Sequence, residues 1–109
     1  AGNEGKFFLT SVKPGMNKSE FSAECYPNPF TKQTTISFNL KNRSDVEVSI
    51  INLIGQKVST LLQTEKMEGA HKVTWNGTDN SGNKVNSGVY FYNISTDTGS
   101  QTGRIVFSR

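Results

Sequence analysis

Cys25 and His71 are the only cysteine and the only histidine in the chain. A thiol beside an imidazole is a known nucleophilic pair, so these two residues are the first place to look for chemistry. No motif surrounds either one. Cys25 stands outside any C-x-x-C or Cys/His metal pattern, and a single cysteine closes no internal disulfide. One histidine with so few partners builds no zinc site. Cys25 therefore reads as a passive residue near the start of the domain. Asp79, Ser81 and Asn83 place oxygens at alternating positions, loosely as in a calcium loop, but the required glycine and terminal glutamate spacing is missing. Asp79-Asn80-Ser81-Gly82-Asn83 reads as a turn. Glu65 and Glu68 could share a face as paired carboxylates, though exposed turn residues are the simpler reading. No Gly-rich phosphate loop and no Ser/His/Asp set is present. Four Asn-x-Ser/Thr sequons, at Asn17, Asn42, Asn76 and Asn93, are expected by chance in a chain so rich in Asn, Ser and Thr. The expectation is a protein that is not an enzyme and holds no cofactor or metal.

The surrounding elements explain this absence better than any site would. The chain has 109 residues, enough for one domain with one modest core. Only 33% of residues are hydrophobic, while ten glycines and many Asn, Ser and Thr residues crowd the sequence. Gly and Asn tolerate positive φ, and Ser and Thr hydroxyls satisfy loop backbone, so this composition suits short strands joined by many turns. The net charge of +3 is spread along the chain. A nucleic-acid binder would gather its basic residues into a stripe or patch, so no nucleic-acid partner is expected. No apolar run approaches the ~20 residues of a membrane span. Phe7-Phe8-Leu9 is too short for a signal-peptide core, so an exported form would carry its N-terminal address upstream.

Residues 1–22 show no sustained period and read as a linker or the tail of a preceding domain, although Phe7 to Val12 has some strand character. The domain is assigned to 23–109. Thr35 to Leu40 alternates polar and apolar residues, with Ile36, Phe38 and Leu40 inward. Val46 to Ile50 alternates again, and a further strand is expected at Val58 to Leu62. One helical turn between Leu53 and Leu62 is compatible with the spacing. His71, Val73 and Trp75 share a face in the strand after Gly69, and Trp75 is the largest core candidate. Lys84-Val85 reads as a brief edge strand. Val89 to Ile94 is apolar on both faces, which places it inside a sheet. Gly103 to Arg109 closes the pattern, with Ile105 and Phe107 inward and the chain end built into the sheet. About seven strands with turns every 8–12 residues and no convincing helix predict an all-β fold, an immunoglobulin-like antiparallel β-sandwich.

Certain residues stand apart from this alternation. Pro27 and Pro29 fix their own φ, bias Tyr26 and Asn28 towards extended backbone, and remove two amide donors. Pro27-Asn28-Pro29 cannot serve as a central strand. It could display a rigid feature to a partner, or set the chain's approach to the sandwich with Tyr26 or Phe30 plugging the core. Gly55 and Gly88 fit positions that need backbone freedom. Tyr90 suits either plain core packing or a tyrosine corner, in which its hydroxyl bonds nearby backbone.

Five blocks together resemble the C-terminal sorting domains of the bacterial type IX secretion system, a family of Bacteroidota and related bacteria. They are Phe21 to Phe30 with Tyr-Pro-Asn-Pro-Phe at its core, Ile51 to Val58, Gly69 to Gly77, Ser87 to Tyr92, and the terminal strand ending in a basic residue. The match runs from Phe21 to Arg109, and Cys25 departs from the residue the family commonly has. The resemblance is to the type A, Por secretion tail form, with an immunoglobulin-like fold. It implies a non-catalytic targeting domain that directs a cargo across the outer membrane. The implied partners are the type IX translocon and shuttle components, the N-terminal cargo domain, and a sortase-like cysteine peptidase cutting upstream of Tyr26. That peptidase would remove the domain and attach the cargo to the surface. The implied location is the periplasm in transit, then the outer-membrane surface or the medium. Pro27, Asn28, Pro29, Phe30, Gly55, Gly88, Tyr90, Arg104 and Arg109 would carry recognition. Arg104 and Arg109 flank the last strand, where they could bind acidic receptor groups or guard an edge against aggregation. The other reading of the sequence is an immunoglobulin-like accessory module that binds carbohydrate or an adjacent domain, for which Trp75, Tyr26 and Phe91 are the only platform, with Trp75 expected to be buried.

Overall fold

The structure, a computed structural model, describes residues 21–109. Among these residues seven strands form: β1 (Phe21–Tyr26), β2 (Thr34–Leu40), β3 (Ser44–Ile51), β4 (Lys57–Lys66), β5 (Gly69–Trp75), β6 (Gly88–Thr96) and β7 (Gly99–Phe107). They build a three-stranded sheet in the order β1-β2-β5 and a four-stranded sheet in the order β4-β3-β6-β7. Every strand pairing is antiparallel. The described residues contain no helix, so the stretch from Leu53 to Leu62 is a turn followed by β4. The expected all-β, immunoglobulin-like sandwich is what the chain forms.

The alternation of the sequence is the alternation of burial. Ile36, Phe38 and Leu40 of β2 and Val46, Val48 and Ile50 of β3 are all buried, as are Tyr90, Tyr92 and Ile94 of β6 and Ile105 and Phe107 of β7. Side chains of a strand point to opposite faces in turn, so each of these sets lines one inner face of the sandwich. β6 lies between β3 and β7, as its apolar character on both faces required.

The seven strands differ from the expected seven at two places. Phe21–Tyr26 is a strand, paired residue by residue with β2 from Phe21↔Leu40 to Tyr26↔Thr35. Glu24 and Tyr26 face solvent there while Ala23 and Cys25 are half-buried, so the alternation is present in weakly apolar residues. Phe21 and Ser22 thus already belong to the paired register, inside the segment the sequence reading set apart as linker. Lys84-Val85 is no strand. Lys84 makes an isolated bridge to Thr78, and the Val85 amide donates to the Gly77 carbonyl at 2.9 Å. The possible strand at Phe7 to Val12 lies outside the described residues.

The pairings give the sandwich two distinct ends. β1 begins at one end, beside the turns that join β2 to β3, β4 to β5 and β6 to β7. The opposite end carries the 27–33 connection, the 52–56 turn, the 76–87 loop and Arg109.

Candidate functional site

Among the described residues β7 is an edge strand, and an edge presents unpaired N–H and C=O groups that invite pairing with another chain. The Pro27-Asn28-Pro29-Phe30 segment covers the last part of that edge. The Asn28 carboxamide acts as a strand surrogate: Nδ2 donates to the Arg104 carbonyl at 2.8 Å, and Oδ1 accepts from the Val106 amide at 2.9 Å. One residue pair further on, the main chain takes over. The Phe30 amide donates to the Val106 carbonyl at 3.0 Å, and the Phe30 carbonyl accepts from the Ser108 amide at 2.9 Å, a parallel bridge between Phe30 and Phe107. The prolines lack N–H groups, but the bonds come from the residues between and after them. Both Tyr26–Pro27 and Asn28–Pro29 peptide bonds are cis. Pro27 is held from the other side, where Thr34 Oγ1 donates to its carbonyl at 2.7 Å.

Phe30 anchors this clamp. Its ring is buried, stacks on Phe107 at a centroid distance of 4.8 Å, and meets Trp75 at 5.5 Å. Trp75 in turn meets Tyr90 edge-on at 5.3 Å. Such offset and edge-on arrangements suit the quadrupoles of the rings. The indole Nε1 donates to the Thr78 carbonyl at 2.8 Å, which removes the cost of burying that N–H. Gly77 lies so close to the Phe107 ring that a Cβ would overlap it, and its φ of +77° also favours glycine. Of Tyr26 and Phe30, the two candidates for plugging the core, Phe30 does so and Tyr26 is 79% exposed.

The same end gathers most of the other residues singled out in the sequence. Tyr90 Oη donates to the Asn86 carbonyl at 2.7 Å, four residues upstream, which is the tyrosine-corner arrangement. Gly88, at φ +154°, pairs with Phe107. The Arg109 amide donates to Ser87 Oγ at 2.9 Å, which ties down the residue after β7. Arg104 on the edge strand and Arg109 beyond its end are both exposed. Gly55, at φ +87°, lies at this end as well but in the separate 52–56 turn, where its amide donates to the Asn52 carbonyl at 3.0 Å.

The residues that could have done chemistry are not assembled. Cys25 pairs with Ile36 and His71 with Phe38, so they stand on β1 and β5 with β2 between them. The Cys25 thiol meets Thr34 Oγ1 at 3.0 Å, and burial pushes its pKa up despite that bond. A raised pKa makes a poor nucleophile near neutral pH. His71 Nε2 lies 2.6 Å from the Met67 carbonyl. The Asp79 carboxylate is spent on its own loop, accepting from the amides of Ser81 at 2.9 Å and Asn83 at 3.0 Å. Glu65 pairs with Arg43 at 3.2 Å. Among the described residues no cluster of His, Cys, Asp and Glu could hold a metal ion. Trp75 is 1% exposed, so it is unavailable as a sugar platform.

Sequence reasoning missed a second surrogate. Asn80 Oδ1 accepts from the Thr60 amide at 2.9 Å, and the Asn80 amide donates to the Val58 carbonyl at 3.2 Å. β4 is the other edge of the four-stranded sheet, so an asparagine covers part of each edge. The dense Asn and Gly content of 76–83 was the available signal, and it pointed only to a turn.

The sequence model for FlgD Ig-like domains matches residues 26–100. No curated protein matches the chain. Among solved structures, dimeric latent PorU from Porphyromonas gingivalis superposes with a TM-score of 0.67 at 18% identity, over 88% of this chain and 10% of that one. PorZ of the same organism, described as an essential bacterial surface component of the type IX secretion system, superposes with a TM-score of 0.54 at 29% identity, over 80% of this chain and 11% of that one. The chain therefore spans about a tenth of the length of each of these proteins.

Proposed function

This chain belongs to the FlgD Ig-like domain family, and we propose that it serves there as a non-catalytic C-terminal targeting domain of the type IX secretion pathway. The observation that carries this reading is the likeness to PorZ, a surface component of that system, at 29% identity over 80% of this chain. The five sequence blocks agree with it. Four of them converge in space on the end of β7, which is a reason for their joint occurrence that a generic sandwich would not need.

In this reading the domain follows a cargo, which continues upstream of β1. Translocon and shuttle components of the export machinery recognise the domain in the periplasm. A sortase-like cysteine peptidase cuts upstream of Tyr26, and the cargo reaches the outer-membrane surface or the medium. The domain is a substrate in that reaction and supplies no catalytic group. Recognition falls to Pro27, Asn28, Pro29, Phe30, Gly55, Gly88, Tyr90, Arg104 and Arg109. Of these, Asn28 and Phe30 act by holding the β7 edge, whereas Arg104 and Arg109 offer exposed guanidinium groups for charge-assisted bonds to acidic receptor groups.

The test is a reporter with a signal peptide, fused to the whole chain and expressed in a type IX-competent bacterium. The full fusion is exported, and one lacking Gly103 to Arg109 stays in the periplasm. Truncation also uncovers the core around Ile105 and Phe107, so a folded variant, Arg104→Ala with Arg109→Ala, is run beside it and shows reduced export. Normal export of the truncated fusion overturns the reading.

A further inference from the structure

The basic residues are spread along the sequence but not over the fold. Lys32, Lys84, Arg104 and Arg109 are exposed, and all four belong to the end of the sandwich where β7 finishes. Arg104 stands at that level because it pairs with Phe91, which pairs with Ile51, the last residue of β3. Lys57 lies there too, paired with Glu47. Among the described residues Asp79 is the only acid in the loops of this end. At the opposite end the acids Asp45, Glu65, Glu68 and Asp97 offset the bases. The excess positive charge therefore has one pole.

The same end carries three of the four large hydrophobic side chains that are mostly exposed among the described residues: Tyr26, Leu53 at 69% and Ile54 at 76%. Met67, the fourth, lies at the other end. Leu53 and Ile54 are adjacent at the tip of one turn, and the turn is held from within. The Gly55 amide donates to the Asn52 carbonyl and the Asn52 amide to the Gln56 carbonyl, each at 3.0 Å. Asn52 Oδ1 accepts from the amides of Ile54 at 3.1 Å and Gln56 at 2.9 Å, and Nδ2 donates to Gln56 Oε1 at 3.0 Å. The Leu53 and Ile54 side chains take no part in this bonding, where polar residues are the usual occupants. A turn fixed in this way loses little conformational freedom when its tip is buried elsewhere.

We propose that this end docks on an anionic lipid surface, with Leu53 and Ile54 entering the headgroup layer and Lys32, Lys84, Arg104 and Arg109 meeting lipid phosphates. Buried apolar area and attraction to anionic lipid add in this mode of binding, and two aliphatic side chains alone would hold only marginally. Each basic residue close to an anionic surface strengthens binding about fivefold. Tyr26, an amphipathic ring beside the cations, suits the headgroup level. An acidic protein surface fits the charge but not the shape. A protein interface of ordinary size buries about 800 Å² a side around an apolar core, and two aliphatic side chains on a projecting tip make no such core. A headgroup layer closes around a tip without a matching pocket. The proposal goes beyond the export reading, and neither requires the other.

The experiment mixes the purified full chain with vesicles of phosphatidylcholine alone and with vesicles in which a third of the lipid is phosphatidylglycerol, and reads the bound fraction by sedimentation. The chain binds the anionic vesicles and not the neutral ones. Raising the salt from about 0.1 M to about 0.5 M weakens the binding, because the Debye length falls from about 10 Å to about 4 Å. Leu53→Ser with Ile54→Ser lowers the affinity roughly tenfold or more at unchanged charge. Lys32→Ala with Arg109→Ala lowers it about twenty-fivefold, two bases at about fivefold each. Lys41→Ala with Lys72→Ala makes the same change in net charge away from this end and leaves the affinity at the parent's value. All six side chains are exposed, so the three variants melt with the parent. Failure to bind anionic vesicles overturns the proposal and leaves the basic end to an acidic protein partner. Equal binding to neutral vesicles, an affinity that the aliphatic variant does not lower, or equal losses from the two lysine variants overturn it as well. Purified chain and lipid suffice for each of these results, so none of them bears on export, which the reporter fusion tests separately.

Discussion

Replacing Asn28 by alanine frees the end of β7 without opening the core. The carboxamide makes two hydrogen bonds to strand backbone, to the Arg104 carbonyl and from the Val106 amide. Each such bond is worth about 0.5–1.5 kcal/mol net, and the exposed site lets water take the vacated groups, so Asn28→Ala costs about 1–2 kcal/mol. In a domain of this size that lowers the melting temperature by roughly 5–12 °C. Urea unfolding followed by Trp75 fluorescence reads the loss, with the slope m unchanged because the same surface is exposed on unfolding. Amide hydrogen exchange localises it. The Val106 amide loses its acceptor and exchanges faster, whereas the Ser108 amide keeps the Phe30 carbonyl. Asn28→Asp adds a sharper test. Its carboxylate still accepts from Val106 but turns a second oxygen towards the Arg104 carbonyl, and two acceptors repel. Protonation restores a donor, so the folded state raises the carboxyl pKa above its ordinary value of about 3.9. An acid with a raised pKa loses stability as pH rises through the unfolded value, so the variant's deficit is largest at neutral pH and shrinks towards about pH 3. Unchanged Val106 protection in Asn28→Ala, or wild-type stability of Asn28→Asp at neutral pH, would refute the surrogate-strand account.

Gly103 faces Tyr92 across the β6–β7 pair, and a Cβ there overlaps the Tyr92 ring. Gly103→Ala therefore destabilises by about 1–3 kcal/mol, and Tyr92→Leu in the same chain recovers part of the loss, a coupling that a double-mutant cycle measures. Tyr90→Phe removes the 2.7 Å bond to the Asn86 carbonyl and costs about 1 kcal/mol in urea unfolding. Burial raises the pKa of Cys25, Tyr90 and Tyr92, the last also through the negative charge of an ionised Cys25 and of Glu24. All three are acids that the fold prefers protonated. Stability consequently falls as pH climbs above about 8.5 and again above about 10, and an alkaline melt that stays flat across that range contradicts the assignment. For the same reason iodoacetamide alkylates Cys25 more slowly in the folded chain than in urea at a given pH.

The inner faces of β2, β3, β6 and β7 were legible because their alternation is carried by large apolar residues, such as Ile36-x-Phe38-x-Leu40. β1 was harder to see. Its inward positions hold Ala23 and Cys25, whose small side chains give a weak period, and its opening residues adjoin a stretch without pattern. Lys84-Val85 gave the opposite error: a β-branched residue after a turn imitates a strand, but its partners are single loop residues, Thr78 and Gly77. The turn at 52–56 and the corner at Tyr90 follow from local chemistry, a glycine at positive φ and a hydroxyl reaching four residues back. The clamp did not follow. Its bonds join residues separated by 76 and 78 positions, and on the β7 side they involve only backbone. No side-chain pattern in 104–108 marks it out. The sequence could rank Pro27 to Phe30 as important, but pairing that segment with β7 required the fold.

That backbone pairing also joins the two readings of Pro-Asn-Pro-Phe, a structural plug and a recognition feature. Asn28 and Phe30 hold their positions by binding the Arg104 and Val106 carbonyls and the Val106 and Ser108 amides. Phe30 is buried against Phe107, the last residue of β7. β7 comes last of the seven strands in the chain, and the segment that needs it lies directly after the first. The exposed outer surface of 27–29 is thus held by β7 on one side and by Thr34 on the other. A partner that touches this surface distinguishes a finished sandwich from one missing its final strand, without reading a single side chain of β7. Losing β7 and losing Phe30 then remove the same surface by different routes, and the exposed Arg104 and Arg109 side chains can be altered without removing it.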